Sequence, residues 1–240
     1  MIVAIKITSA CNLACKYCYE KNYQDKTEST SIKHFDYINM CLKQSSAKLT
    51  VCVQGGEPTL HENLLEFLEK LKNNEKVQKI IVVTNGKKLV QLPDYVDVVL
   101  SYHVEEMSLT NFLLAAKHYK PAQIEVPLYC VEKNKMYFDG IKEAISGVKI
   151  NFRKVYSGTE FLEKYTPETT QRYNVLDYVT NIECEPCSFE VLPDLTVRYL
   201  CTSVDNLLRN PLYFKNIKTT KRLCNKECLT NFLFENRIIH

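Results

Sequence analysis

Long apolar runs are absent from this chain of 240 residues. No stretch approaches the roughly 18 consecutive apolar residues of a transmembrane helix. A secretory signal is missing as well. The opening MIVAIKITSACN carries one lysine and a short apolar run, without a basic region or a long apolar core. These absences predict a cytoplasmic protein with no membrane partner. A dominant charge is also lacking: 31 Lys and Arg stand against 28 Asp and Glu, a formal net charge of +3. So small an excess neither demands nor excludes nucleic acid. Repeats and low-complexity segments do not occur. The hydrophobic share of 45% is ample for a core, and the length suits one large domain or one domain with a small appendage.

Cysteine, by contrast, is abundant. Eleven is high for such a chain, whereas a secreted disulfide framework is usually shorter and has an even count. Cys41, Cys52 and Cys130 sit among apolar residues and read as inert core thiols. The other eight form two groups, Cys11, Cys15, Cys18 and Cys184, Cys187, Cys201, Cys224, Cys228. That segregation points to metal binding in a reducing compartment.

The apolar pattern predicts strands at 2–8, 49–54, 79–86, 96–103, 123–131 and 148–155, with helices at 33–46, 62–73, 111–119 and 135–145. Such alternation is βα-unit spacing, and purely apolar strands imply a parallel sheet covered by helices. An open sheet and a barrel fit this pattern equally. In both, sites gather at the C-terminal ends of strands. Cys11–Cys18, Gly55–Pro58, Thr84–Gly86, Ser101–His103 and the 125–130 region fall there. The pattern changes near residue 156, which divides the chain into 1–156 and 157–240. Residues 166–179 read as a capped helix. FEVLPDLTVRYL at 189–200 reads as a hairpin turning at Pro193-Asp194.

Three thiolates in one short loop leave one iron of a four-iron cluster without a protein ligand. Zinc completed by a distant Cys or His competes with this, as do three unrelated thiols, and spacing does not separate them. The surrounding motifs add more. CNLACKYCY is CxxxCxxC with Tyr17 before the third cysteine, and QGGEPTL follows with Gly55-Gly56-Glu57-Pro58. Jointly these resemble the radical S-adenosylmethionine (radical SAM) superfamily, in element order over roughly residues 3–155.

The resemblance implies a partial (β/α)6 TIM barrel of the radical SAM type, with a small cysteine-rich α+β extension. It implies a [4Fe-4S] cluster on Cys11, Cys15 and Cys18 whose open iron binds S-adenosylmethionine. One electron, from a donor such as flavodoxin or ferredoxin, would cleave that molecule to methionine and a 5′-deoxyadenosyl radical that abstracts hydrogen from a substrate. The Tyr17 backbone would lie near adenine, and Gly55, Gly56 and Glu57 would hold the methionine amine. Asn85 and, more loosely, Ser101 match further S-adenosylmethionine contacts. Glycine lets backbone approach a ligand without a Cβ in the way, and a carboxylate suits an ammonium. His103, Glu125, Tyr129 and Arg153 are the candidate substrate contacts, His103 also as acid or base. Glu125 and Arg153 have a plainer reading as solvated rim residues, Glu57 as a solvated turn acid and Asn85-Gly86 as a common turn pair.

In the C-terminal group, Cys184-x2-Cys187-x13-Cys201 and Cys224-x3-Cys228 suit either zinc or a second iron–sulfur cluster. The first spacing resembles the auxiliary cluster of the molybdopterin-precursor cyclase. VLPDLTVRYLC resembles the hairpin of SPASM and twitch domains, with Leu195 where their glycine sits. The full seven-cysteine SPASM set and the cyclase's C-terminal glycine pair are missing, which argues against cyclase activity. An abbreviated, twitch-like region with an auxiliary iron–sulfur cluster is the expectation. The substrate would be a peptide or a small molecule. With ten residues before Cys11, a leader-peptide-binding extension is not expected there. A glycyl-radical enzyme activase, a tRNA- or nucleobase-modifying enzyme (KNIKTTKR at 215–222 facing phosphates) and a non-catalytic zinc-binding nucleic-acid adaptor are the alternatives.

Overall fold

The structure, a computed structural model, describes residues 1–15, 18, 29–128, 141, 145, 147–154, 156–157, 160–161, 183–184, 188–199, 203–215 and 222–223. Six strands come first: β1 (Ile2–Lys6), β2 (Leu49–Gln54), β3 (Val77–Thr84), β4 (Val96–Ser101), β5 (Gln123–Leu128) and β6 (Lys149–Lys154). They lie side by side in chain order, every neighbouring pair parallel. Among the described residues three helices cross between them, α1 (Ile32–Lys43), α2 (Leu64–Lys72) and α3 (Leu109–Tyr119). The parallel βα units are those expected from the alternation of elements, and the partial barrel is the form that the resemblance implied. The helix expected at 135–145 falls almost wholly outside the described residues, and that at 166–179 wholly so.

Local chemistry explains the helix starts. The Ser31 side chain accepts a hydrogen bond from the His34 amide and caps α1, and Ser108 does the same for α3 through Asn111. Periodicity then sets which side is buried. In α1 the buried residues are Phe35, Ile38, Cys41 and Leu42, and in α2 they are Leu64, Phe67, Leu68 and Leu71. The rings of Phe35 and Phe67 stack with centroids 4.1 Å apart, joining the two helices. Cys41 and Cys52 are buried as expected of core thiols, and burial pushes the Cys41 thiol up to about 11.

Strand alternation separates two apolar layers. Val3, Ile5, Ile7, Val51 and Val53 face α1 and α2 in the main core. Ile2, Ala4, Cys52, Ile81 and Val99 form a smaller cluster on the opposite, concave face. On the same strand faces polar residues follow this cluster two positions on, Lys6 after Ala4, Gln54 after Cys52 and Ser101 after Val99.

The later strands are β7 (Tyr156–Ser157), β8 (Glu160–Phe161), β9 (Glu183–Cys184), β10 (Ser188–Val191), β11 (Thr196–Tyr199), β12 (Ser203–Asn206) and β13 (Arg222–Leu223). β10 and β11 are the expected hairpin. It joins the main sheet: β10 pairs in parallel with β1, giving a nine-stranded order from β12 at one edge to β6 at the other.

Leu195 takes φ +66° at the hairpin turn, in the left-handed region where the related hairpins place glycine. Such a conformation costs a branched residue about 1–2 kcal/mol. Its side chain, however, is fully buried in the main core. Truncating a buried leucine costs about 2–5 kcal/mol, so burial outweighs strain. Leu195→Gly is therefore expected to lower stability by about 1–3 kcal/mol in urea unfolding, despite the relieved backbone.

Candidate functional site

The first-strand loop and the second-strand turn pack backbone to backbone. The Gly56 amide donates to the Thr8 carbonyl at 2.7 Å and the Glu57 amide to the Ala10 carbonyl at 2.8 Å. A Cβ on Gly55, which has φ +147°, would lie 2.3 Å from the Thr8 oxygen. One on Gly56 would lie 2.3 Å from the Ala10 oxygen and 2.6 Å from that of Ser9. Both glycines are thus required by the segment leading into Cys11, independently of any ligand.

Glu57 is buried and its carboxylate is committed within the fold. Oε1 accepts from the Thr59 amide (3.0 Å), the Thr59 hydroxyl (2.7 Å) and the Thr84 hydroxyl (2.7 Å). Oε2 accepts from the Asn85 amide at 2.8 Å. The side chain ties the end of β2 to the end of β3.

Four side chains from the loops after β3 and β4 then hold the cysteine loop. Asn85 Nδ2 donates to Asn12 Oδ1 at 2.9 Å and lies 3.9 Å from Cys11 Sγ. Lys87 Nζ donates to the Asn12 carbonyl at 3.0 Å. Glu106 accepts from the Ala14 amide at 3.2 Å, and His103 Nδ1 stands 3.4 Å from Cys15 Sγ. Asn12, Lys87 and Glu106 carry no motif. Only their place after successive strands marked that region.

Burial pushes the Cys11 thiol above its usual range; N–H bonds from Leu13 and Asn12 oppose this, while charge on Glu57 and Cys18 adds to it. A thiolate there calls for a positive partner, as a metal centre supplies. No three His, Cys, Asp or Glu side chains among the described residues gather round a single-ion position. A cluster makes no such demand, because it spreads its thiolates over separate irons. Cys15, which is buried, and the half-buried Cys11 and Cys18 stand on one clamped loop, a donor set of the kind such a cluster takes.

The chain matches the family described as the radical SAM superfamily over residues 5–185. This chain belongs to the radical SAM superfamily. Curated relatives include a GTP 3′,8-cyclase of Pasteurella multocida, 30% identical over 89 residues, or 36% of this chain and 26% of that protein. One from Haemophilus ducreyi is 23% identical over 173 residues, 70% of this chain and 47% of that protein. The chain therefore spans about a quarter to a half of the curated relatives it matches. Among solved structures, anSMEcpe with bound AdoMet and the Cp18Cys peptide aligns with TM-score 0.57 and 17% identity, covering 98% of this chain and 80% of that one. Streptococcus suis SuiB bound to precursor peptide SuiA aligns with TM-score 0.50 and 13% identity, covering 90% and 67%. The fold likeness runs beyond the barrel.

Within the radical SAM barrel, the upper tier of the concave face is polar. Ser101 pairs in register with Glu125, which is buried and accepts from Gln123 Nε2 at 3.4 Å. Lys6, beside Gln54 on the same face, forms an ion pair with Glu190 of β10 at 2.9 Å, with side chains 7% and 13% exposed. Lys6, Gln54 and Glu190 were missed in the sequence, although a lone lysine in the apolar IVAIKIT was a signal. Arg153 lies on β6 opposite Pro127, described at the level of the backbone. Tyr17, Tyr129, Cys187, Cys201, Cys224 and Cys228 lie outside the described residues. Cys184 sits on β9, paired with Arg222 of β13.

Two predictions follow from these contacts. Gly56→Ala should displace the cysteine loop, costing about 1–3 kcal/mol and lowering iron and sulfide content per chain after anaerobic reconstitution. Lys6→Met should cost about 3–5 kcal/mol in urea unfolding by leaving Glu190 buried and unpaired, and adding Glu190→Leu should recover most of the loss.

Proposed function

We propose that the chain is the core of a radical SAM enzyme that reductively cleaves S-adenosylmethionine and abstracts hydrogen from a peptide or small-molecule substrate. The observation carrying this is the Cys11–Cys18 loop clamped onto the Gly55-Gly56-Glu57 turn, within a chain matched to the superfamily over residues 5–185. Cys11, Cys15 and Cys18 would hold the [4Fe-4S] cluster. When bound, that cluster supplies the electron that splits S-adenosylmethionine into methionine and a 5′-deoxyadenosyl radical. Tyr17, the 55–57 turn, Asn85 and Ser101 are assigned to S-adenosylmethionine. The Glu57 carboxylate serves the turn rather than the ligand, so its backbone is the part available to a methionine amine.

The concave polar tier is assigned to substrate, with Glu125, Tyr129 and Arg153 as contacts. Its apolar floor keeps water from below, which protects a carbon radical from side reactions. A peptide is the favoured substrate class, because the anSMEcpe and SuiB structures that share this fold contain one. An electron donor of flavodoxin or ferredoxin type completes the reading.

Residues 157–240 are assigned to a twitch-like region holding a second iron–sulfur cluster through members of the Cys184, Cys187, Cys201, Cys224 and Cys228 set. Backbone pairing supports this. The hairpin sets Tyr199, two residues before Cys201 in sequence, beside Phe189, two residues after Cys187 in sequence. The β9–β13 ladder sets Arg222, two residues before Cys224, beside Cys184.

Anaerobic reconstitution followed by iron, sulfide and 5′-deoxyadenosine assays tests the whole reading. Cys15→Ala should abolish 5′-deoxyadenosine formation, and turnover at the normal rate would overturn the ligand assignment. In the Cys11, Cys15, Cys18 triple-alanine chain about four irons should remain, whereas a single zinc would reject the second cluster.

A further inference from the structure

The loops after β3 and β4 place two nitrogen donors against two of the three N-terminal cysteines. His103 Nδ1 is 3.4 Å from Cys15 Sγ, an ordinary N–H···S length. Asn85 Nδ2 is 3.9 Å from Cys11 Sγ, at the long end of the range. Both are held in place from behind. The Asn85 amide is oriented by accepting from the Lys87 amide at 2.8 Å and donating to Asn12 at 2.9 Å, so its nitrogen faces the cysteine. The His103 carbonyl accepts the Glu106 and Met107 amides, each at 3.0 Å, and Glu106 in turn holds Ala14 beside Cys15.

A cysteine that ligates iron has no proton to give. In the Cys15–His103 pair the hydrogen must then come from Nδ1, which selects the imidazole tautomer protonated there. A donor on a cluster thiolate draws electron density from the sulfur and stabilises the more negative, reduced cluster. The geometry points to His103 as a positioning residue that raises the reduction potential of the N-terminal cluster through Cys15, rather than as a substrate acid or base. Asn85 acts in the same sense, more weakly, at Cys11. This rests on the reading above that Cys11, Cys15 and Cys18 hold the cluster. It differs from it in assigning an electronic role, exerted through sulfur, to two side chains that do not ligate iron.

The test compares wild type, His103→Phe and His103→Asn, reconstituted to equal iron and sulfide content. The relevant cluster is the one whose EPR signal changes when S-adenosylmethionine is added. Phenylalanine keeps the ring and removes the donor, whereas asparagine carries its amide nitrogen near the place of Nδ1. In EPR-monitored redox titrations, His103→Phe should show a midpoint shifted to more negative potential, and His103→Asn should stay close to wild type. Equal midpoints in all three would overturn the proposal. Should the phenylalanine chain fail to load, wild type itself decides the matter. Protein grown on 15N-histidine should show weak nitrogen coupling to the reduced cluster in pulsed EPR, lost in His103→Asn. Absence of that coupling in wild type would refute it. Absence of any S-adenosylmethionine-responsive cluster would instead bring down the underlying ligand assignment, and the proposal with it.

Discussion

The hydrogen bonds at Glu57 hold the site together. One buried carboxylate receives donors from its own turn, from Thr84 at the end of β3 and from the first amide beyond it. A buried carboxylate with so many partners is stabilised where it lies, and each lost partner would leave a polar group stranded in a low-dielectric interior. Around it, Gly55 and Gly56 press against Thr8, Ser9 and Ala10 closely enough to exclude any side chain. The path of the chain into Cys11 is therefore set by main-chain contacts.

The second consequence concerns the sides of the sheet. One face is given over to α1 and α2 and the main core, and the other keeps only a small apolar floor beneath polar side chains. Lys6 and Glu190 cross the seam between β1 and β10, so the C-terminal hairpin is bonded to the barrel by both a strand ladder and a buried ion pair. Whatever occupies the concave face meets residues from both ends of the chain.

Asn85 and His103 show how position can redirect a residue. In a strand-end loop, either would serve a ligand or a substrate equally well. His103 Nδ1 has Cys15 Sγ at 3.4 Å, and Asn85 Nδ2, bonded more closely to Asn12 Oδ1, has Cys11 Sγ at 3.9 Å. The same ends of β3 and β4 supply Lys87 and Glu106 to the loop backbone, so holding the thiols and tuning them are tasks of one neighbourhood.

Much was legible in the sequence. The alternation of apolar runs pointed to parallel βα units, the helical spacing at 33–46 and 62–73 marked α1 and α2, and the two motifs located the loop and the turn. Strand ends were less legible: the runs at 2–8, 79–86 and 96–103 continue in apolar or neutral character, but their last residues leave the ladder to build the site. Propensity does not register that change, because it is caused by partners far along the chain. The function of the glycines, the engagement of Glu57 and the pairing of Lys6 with Glu190 were likewise decided only by tertiary contact. Sequence carries residue type and local period, which suffice for elements and short motifs. Which atoms lie within hydrogen-bond distance across 28 or 92 residues of chain depends on how the strands are ordered, and only the assembled sheet supplies that.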